Sequence, residues 1–146
     1  MKAKWTPTVE ETRAAIMPGV DSDWIVSLDD GECLNAAAID YIRRVCAAPD
    51  AADVHYIPFR HYILSRHDER AYYWPEYRPA LFRKGAVEFV TTVHGGCRLH
   101  TDKAVQVAPE TGAAILHLSH RNASVWVEKT NRYTDQADRL GAESVE

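Results

Sequence analysis

Three carboxylates, those of Asp29, Asp30 and Glu32, lie within four positions directly after a short apolar run. The run spans Trp24 to Leu28 and is bounded by turn-forming residues, which predicts a buried strand. In open α/β sheets, ligands bind outside the C-terminal ends of such strands. Carboxylates this close repel one another unless positive charge lies among them, and a divalent cation is an obvious candidate. The alternative is an acidic turn without a ligand, because Asp and Gly are common turn residues.

A histidine is placed to join these acids. His117 follows the apolar residues 113–116 and precedes the last predicted helix. From that strand end, its imidazole is expected to reach the same sheet edge as Asp29 and Asp30. Carboxylate oxygens together with an imidazole suit Mg²⁺ or Mn²⁺. A hydrogen-bonded loop histidine is the alternative interpretation.

A second cluster, His94, Cys97 and His100, has the residue types that bind zinc, and His117 and His120 could complete a ligand set. Structural zinc sites usually show closely spaced ligand pairs at both ends, and only the first group here has that form. A zinc module is therefore the weaker metal hypothesis. The chain contains no G-x-G-x-x-G, no Walker loop and no G-x-S-x-G elbow, so those phosphate-binding and hydrolase classes are not indicated.

Length and composition favour one soluble globular domain. The chain has 146 residues, 46% hydrophobic and 26% charged, and its net charge of −4 does not indicate nucleic-acid binding. It has no apolar run of about 18 residues or more, so no membrane span is expected, and the N-terminal residues lack the apolar core of a secretory signal. Cys33, Cys46 and Cys97 have no paired spacing, which predicts reduced thiols in a cytoplasmic protein.

These candidates must be positioned by helices and strands. The hydrophobic pattern predicts the order helix, strand, helix, several strands, helix, which indicates an α/β fold with a mixed sheet and flanking helices. The predicted helices are residues 8–17, residues 36–48 with Asn35 as cap, and a last helix from Asn122 or Ser124 to Arg139. The predicted strands are residues 24–28, 54–64, 79–84, 87–93, 103–107 and 113–118. Pro58 marks an edge or bulge, residues 72–75 are expected to be extended, and the tail 141–146 is expected to fray.

Several segments together resemble one enzyme family. Glu11-Thr-Arg-Ala-Ala-Ile16, then Asp23-Trp-Ile-Val-Ser-Leu-Asp-Asp-Gly-Glu32, resembles a helix with an Ala-Arg-Asn core, a Gly-Asp-Trp strand and a Leu-Asp-Ala-Asp-Glu motif. Residues 79–85, continuing to Val93-His94-Gly95, resemble an Arg-Leu-Phe-Arg strand and a Val-His-Glu turn. Residues 115–124 and 128–134 resemble a closing region with His, Ser, Lys and Asn-Arg-Tyr. In this order, over most of residues 11–139, the motifs resemble family 2 glycosyltransferases of the GT-A fold, in particular bacterial members related to lipopolysaccharide-core glucosyltransferases.

The resemblance implies transfer of a sugar from a nucleotide-sugar donor to a hydroxyl of a glycan or lipid-linked acceptor, assisted by Mg²⁺ or Mn²⁺. It implies that Asp29 and Asp30 form a DXD-like motif that binds the ion, with Glu32 in reserve. His117 would be the distal metal ligand or contact the diphosphate. Asp30 and His94 are the implied catalytic residues, and a base deprotonates the acceptor hydroxyl. The implied substrate-binding residues are Arg13, Trp74, Arg83, His120, Lys129, Arg132 and Tyr133.

The chain departs from the family pattern in three ways. Gly31 stands at the family's second Asp, and Gly95 stands at the acid of its Val-His-Glu turn. The remaining candidates for the base are Glu88, His94 and Glu76. Residues 1–140, which are expected to form a single domain, lack the family's N-terminal nucleotide-binding half. The strand at Trp24 is therefore expected to have an open edge that a second copy or partner chain covers, unless it pairs differently. The alternative function is a non-catalytic remnant or a subunit that needs a partner chain.

Overall fold

The computed structural model describes residues 9–90, 96–120, 122–128, 130, 131 and 134. The helical elements are α1 (Val9–Ile16), a 3₁₀ turn (Met17–Gly19), α2 (Ala36–Ala47), a second 3₁₀ turn (Pro109–Thr111) and a last segment, residues 123–128. The strands are β1 (Trp24–Val26), β2 (Glu32–Leu34), β3 (Val54–Ile63), β4 (Glu76–Arg83), β5 (Val87–Phe89), β6 (Cys97–Leu99), β7 (Ala104–Gln106) and β8 (Ile115–His120). No helix in these described ranges is long and apolar enough to cross a membrane.

Six strands form one mixed sheet in the order β1-β4-β3-β8-β2, with β7 also pairing with β3. β4 is antiparallel to β1 and β3, β7 and β8 run parallel to β3, and β2 is antiparallel to β8. β5 and β6 form a separate antiparallel pair. The main sheet is curled. Its curl brings Glu32, on the last strand, within 3.9 Å of Arg78, on the second strand. The predicted α/β class with a mixed sheet is confirmed.

The longest strand, β3, lies at the centre of the sheet. Its residues 54–59 pair with β4 on one side, whereas on the other side residues 54–56 pair with β7 and β8 takes over from Phe59. Pro58 lies between these two registers. Because proline has no backbone N–H to donate, this gap between neighbouring strands is a position that accepts it. The expected edge is therefore a local interruption in a strand that is otherwise interior.

One face of the sheet is covered by α2. Ala38 and Val45 of this helix are buried in a single apolar cluster with Ile57, Leu81 and Ile115 from three strands. The apolar positions of α2 recur along one side of the helix, as the 3.6-residue period predicts. Full burial of one such aliphatic side chain contributes about 1.5 to 3 kcal/mol, so this cluster is what holds α2 on the sheet.

Asn35 caps α2, as predicted. Its Oδ1 accepts hydrogen bonds from the N–H groups of Ala38 at 2.8 Å and Ala114 at 3.2 Å. Its Nδ2 donates to the Gly112 carbonyl at 2.8 Å. The same side chain therefore satisfies the first turn of the helix and fastens it to the segment that leads into β8.

Several predicted boundaries differ from the observed ones. β1 ends at Val26, the strand predicted from residue 87 ends at Phe89, and β4 begins at Glu76 rather than at residue 79. Residues 72–75, predicted to be extended, form a turn. β2 and β6 were not predicted, because each is only three residues long and neither lies within a longer apolar run. Residues 123–128 confirm the start of the last helix, whereas most of residues 129–139, the tail 141–146 and residue 8 lie outside the described part of the chain.

Candidate active site

Asp29 forms an ion pair with an arginine. Arg13, in the last turn of α1, reaches the Asp29 carboxylate, and the two side chains are 25% and 26% exposed. The same guanidinium lies over the Phe89 ring, 5.3 Å from its centroid. Asp30 is exposed beside this pair. Part of the positive charge that the acidic cluster requires is thus supplied by the protein itself.

A tight turn brings Glu32 back against Asp29. The Asp29 carbonyl accepts from the Glu32 N–H at 3.1 Å, and the Asp29 N–H in turn donates to Glu32 Oε2 at 2.8 Å. Gly31 between them has a φ of +79°, a conformation that glycine adopts without steric cost. A residue with a Cβ would be strained in that backbone conformation, so glycine suits this position of the turn.

Glu32 is the most enclosed acid of the site. Its side chain is 2% exposed, and its Oε1 atom is buried with no hydrogen-bond donor among the described residues. Nη1 of Arg78 lies 3.9 Å from Oε1, beyond hydrogen-bonding distance. Burial raises the pKa of the Glu32 carboxyl above its ordinary value. The Asp29 N–H bond opposes this shift, the Asp29 carboxylate adds to it, and Arg78 and Arg13 oppose it.

A chain of polar contacts leads from Arg78 to two histidines. Arg78 donates to Glu76 Oε1 through Nε at 2.9 Å and Nη2 at 2.8 Å, and Glu76 Oε2 lies 2.7 Å from Nε2 of His61. Nδ1 of His61 is 3.0 Å from Nδ1 of His117. Burial alone would raise the pKa of Glu76, but Arg78 and His61 together lower it. Glu32, His117 and His61 occupy paired positions on β2, β8 and β3.

A cavity of about 290 Å³ lies beside the acidic turn. Its wall includes both guanidinium groups, the buried acid, two aromatic rings and a thiol. The Arg78 guanidinium lies over one of these rings, 5.0 Å from the centroid of Phe59. Burial raises the pKa of the Cys97 thiol, so that group is not an activated nucleophile. The lining residues that matter to the chemistry are Arg13, Glu32, Phe59, Arg78, Phe89 and Cys97.

Two residues predicted to bind substrate lie away from this cavity. Trp74 contacts His67, with ring centroids 5.0 Å apart, and carries the Arg60 guanidinium 5.4 Å from its ring centroid. Arg83 pairs with Asp53 at 3.2 Å and lies over the Trp24 ring. The structure therefore brings Arg13, Asp29, Asp30 and Glu32 together, connects them to His117 through the polar chain, and leaves Trp74 and Arg83 elsewhere.

The remaining predicted residues are described only in part. His120 ends β8 with its backbone in register with Ile63, and His94, Lys129, Arg132 and Tyr133 lie outside the described residues. Of the zinc candidates, His100 contacts Glu88 at 2.8 Å, while Cys97 lines the cavity. Within the described ranges, no three His, Cys, Asp or Glu side chains form a group that could hold a metal ion.

Sequence reasoning missed His61, Arg78 and Phe59 as site residues and named Glu76 only as a substitute base. The sequence pattern that could have identified them is the two-residue alternation of a strand. Phe59 and His61 share one face of β3, and Glu76 and Arg78 share one face of β4. The pattern was visible, but the sequence alone did not show that this face turns towards the acidic turn.

A divalent cation fits the acidic turn only with help from a substrate. Mg²⁺ is usually held by one or two carboxylates together with substrate phosphates rather than by a complete protein cage. Asp29 and the exposed Asp30 are the two carboxylates that would hold it. Glu32 is directed into the cavity and takes its hydrogen bond from Asp29, so it does not belong to that pair.

Comparison with known proteins does not assign the chain to a family. No protein-family model matches it, and no curated protein matches it significantly.

Proposed function

We propose that this chain is a glycosyltransferase-like domain that binds a nucleotide-sugar donor at the acidic turn and transfers the sugar to an acceptor hydroxyl. The observation that carries the proposal is the position of Asp29 and Asp30, just past the end of β1 and beside a cavity lined by charged and aromatic side chains. A cavity into which a few charged groups converge is the usual form of a small-molecule site.

The pairing of β1 with β4 supports a relation to part of the GT-A fold. These two strands carry the residues that resemble the Gly-Asp-Trp strand and the Arg-Leu-Phe-Arg strand, and they are antiparallel neighbours in which Ile25 pairs with Phe82. The motifs are therefore adjacent in space as well as ordered in sequence. The sheet would correspond to the later portion of that fold.

The charges of the site explain why a cation would be needed. Two guanidinium groups, on Arg13 and Arg78, face three carboxylates, on Asp29, Glu32 and Glu76. A nucleoside diphosphate brings more negative charge to this group and would be repelled. A divalent ion held by Asp29 and Asp30 would supply Lewis-acid stabilisation of the leaving diphosphate. The candidates for the base that takes the acceptor proton are Glu88, His94 and Glu76.

Calorimetric titration with UDP-glucose and GDP-mannose in the presence of Mn²⁺ tests the proposal. Binding of at least one donor is expected, and Asp30→Asn should weaken it about tenfold or more, because a charge-assisted contact to the ion is lost. Asp30→Asn leaves the Arg13–Asp29 pair intact, which makes it the cleaner variant. Asp40→Asn on α2, where the aspartate is 65% exposed, is the matched control. Absence of binding heat with both donors would refute the proposal.

A second candidate is a non-catalytic subunit that requires a partner chain. β1 is the terminal strand of the main sheet among the described residues, and Val26 and Leu28 beside its open edge are 38% and 37% exposed. An open apolar edge invites pairing with another strand. Light scattering after size-exclusion chromatography distinguishes the two candidates. A monomer that turns over a sugar nucleotide would exclude the subunit function. The three free thiols suggest a cytoplasmic location, which is compatible with either candidate function.

A further inference from the structure

We propose that the cavity beside the acidic turn recognises a hydroxyl group of a single sugar ring through Glu32 and Arg78. The proposal deepens the proposed function by placing one sugar unit in this cavity. It rests on that function only for the choice of a sugar as the hydroxyl compound. Binding to the cavity does not require a nucleotide, a metal ion or sugar transfer.

The starting observation is the unpaired oxygen of Glu32. The side chain is 98% buried, one carboxylate oxygen accepts from the Asp29 N–H, and Oε1 has no donor within the described part of the chain. A buried polar atom without a partner destabilises the fold by about 1 to 3 kcal/mol, and more when it is charged. Oε1 also belongs to a residue that lines the cavity. It is therefore an acceptor without a partner in the wall of the cavity.

The second observation is the gap between Glu32 and Arg78. Their closest atoms, Oε1 and Nη1, are 3.9 Å apart, and Arg78 is held from the other side by two hydrogen bonds to Glu76. Hydrogen bonds to a hydroxyl oxygen are about 2.7 to 2.9 Å long. A hydroxyl group placed between the two side chains accepts from Nη1 and donates to Oε1, so it closes both gaps at once. Only a group that both donates and accepts can do this.

The other chemical classes fit less well. An anionic ligand would meet the three carboxylates of Asp29, Glu32 and Glu76 against two guanidinium groups. A ligand cation would need an aromatic face, but Phe59 and Phe89 already carry the guanidinium groups of the site. A neutral hydroxyl compound meets neither obstacle.

The size of the cavity limits the ligand to one ring. Its volume of about 290 Å³ lies at the lower end of small-molecule sites, which span about 300 to 1,000 Å³. A complete nucleotide sugar would extend out of it. In the proposed reaction, the sugar unit would occupy the cavity while the diphosphate lies outside, at Asp29 and Asp30.

Saturation-transfer NMR with free D-glucose, D-galactose and D-mannose, without nucleotide or metal ion, tests this inference. We expect at least one hexose to receive saturation from the protein. Glu32→Gln keeps the volume of the side chain but replaces one carboxylate oxygen by an NH₂ group, and it should weaken binding about tenfold or more. Glu110→Gln, at an exposed position in the second 3₁₀ turn, is the matched control and should bind like the wild type.

A second variant guards against misfolding of the first. Arg78→Lys retains the positive charge but loses the fork that contacts Glu76 and the bridging hydroxyl, and it should also weaken hexose binding, with circular dichroism confirming the fold. Absence of saturation transfer to all three hexoses would overturn the inference, as would equal binding by folded Glu32→Gln protein. Hexose binding together with no heat from UDP-glucose or GDP-mannose would uphold this inference and refute only the proposed donor binding.

Discussion

The Nδ1 atoms of His61 and His117 lie 3.0 Å apart across two parallel strands, so one of them must donate a hydrogen bond to the other. The opposite nitrogen of His61, Nε2, lies 2.7 Å from the Glu76 carboxylate, which can only accept. When both rings are neutral, His61 therefore carries its proton on Nε2 and accepts at Nδ1. His117 carries its proton on Nδ1. The Glu76 carboxylate thus favours the Nε2–H tautomer of His61 and, through it, the Nδ1–H tautomer of His117.

The first prediction concerns these tautomers. Nitrogen-15 NMR above pH 8 should show His61 as the Nε2–H form and His117 as the Nδ1–H form. Glu76→Gln should reduce the preference at both rings, because an amide both donates and accepts. Glu69→Gln, whose side chain is 63% exposed and pairs with Arg60, should leave both spectra unchanged. Two Nε2–H rings in the wild type would contradict the prediction.

The second prediction concerns the cap of α2. Asn35→Ala removes the bonds to Ala38, Ala114 and Gly112, and we expect it to lower the free energy of unfolding by about 2 kcal/mol, more than an isolated cap contributes. Asn35→Asp keeps the acceptor but loses the donor to Gly112, so an intermediate loss is expected. Urea denaturation of the three proteins measures this order. Equal stability of Asn35→Asp and the wild type would show that the Gly112 bond contributes nothing.

The third prediction concerns the titration of Glu32. Because its folded-state pKa lies above the ordinary value of 4.5, the folded state binds a proton more readily than the unfolded state. Its contribution to stability is therefore complete below about pH 4.5 and is lost as the pH rises through the folded-state pKa. Relative to Glu32→Gln, the wild type should lose free energy of unfolding as the pH rises from 4.5 through the folded-state pKa. A difference that stays constant or grows across this range would exclude a raised pKa.

The fourth prediction concerns His55, which is 4% exposed. Burial lowers the pKa of its imidazole below 6.5, although the Ala52 carbonyl and Asp53 oppose the shift. The unfolded state then binds protons first, so this contribution to stability is present above pH 6.5 and is lost as the pH falls towards the folded-state pKa. Urea unfolding should show this loss in the wild type and not in His55→Gln.

Tyr41→Phe is the control for that measurement. It removes the hydroxyl that donates to Nδ1 of His55 at 2.7 Å but keeps the buried imidazole. We expect a loss of about 1 kcal/mol at all pH values and a pH dependence like that of the wild type. A variant without pH dependence would place the effect in the hydrogen bond rather than in burial.

The sequence alone predicted the elements whose formation has a local cause. The helix capped by Asn35, the strand from Val54 and the strand before the acidic turn each have a local cause: a cap, an apolar period or a turn. The short strands β2 and β6 have no such cause in their own residues. β2 forms because Glu32 to Leu34 find a partner in β8, which is distant in sequence.

The sequence predicted the acids of the candidate site and, by resemblance, Arg13, but it did not predict Arg78. The spacing of Asp29, Asp30 and Glu32 indicated that positive charge must lie among them, and a metal ion was the charge that sequence reasoning proposed. Arg13 supplies part of that positive charge through its ion pair with Asp29. The curl of the sheet brings Arg78 close to Glu32. The curl of a sheet depends on how all of its strands pack together, so no local sequence pattern predicts it.

The central position of β3 has a consequence for how the chain reaches its native state. Val54 pairs with Ala104 and Phe59 pairs with Ile115, so the strand completes its hydrogen bonds only after long loops have closed. Closure of such loops loses chain entropy before the contacts form, and proteins with many distant contacts fold slowly. The hairpin of β3 and β4 is local by comparison. It is the part expected to assemble first, with the cavity and its charged walls completed last.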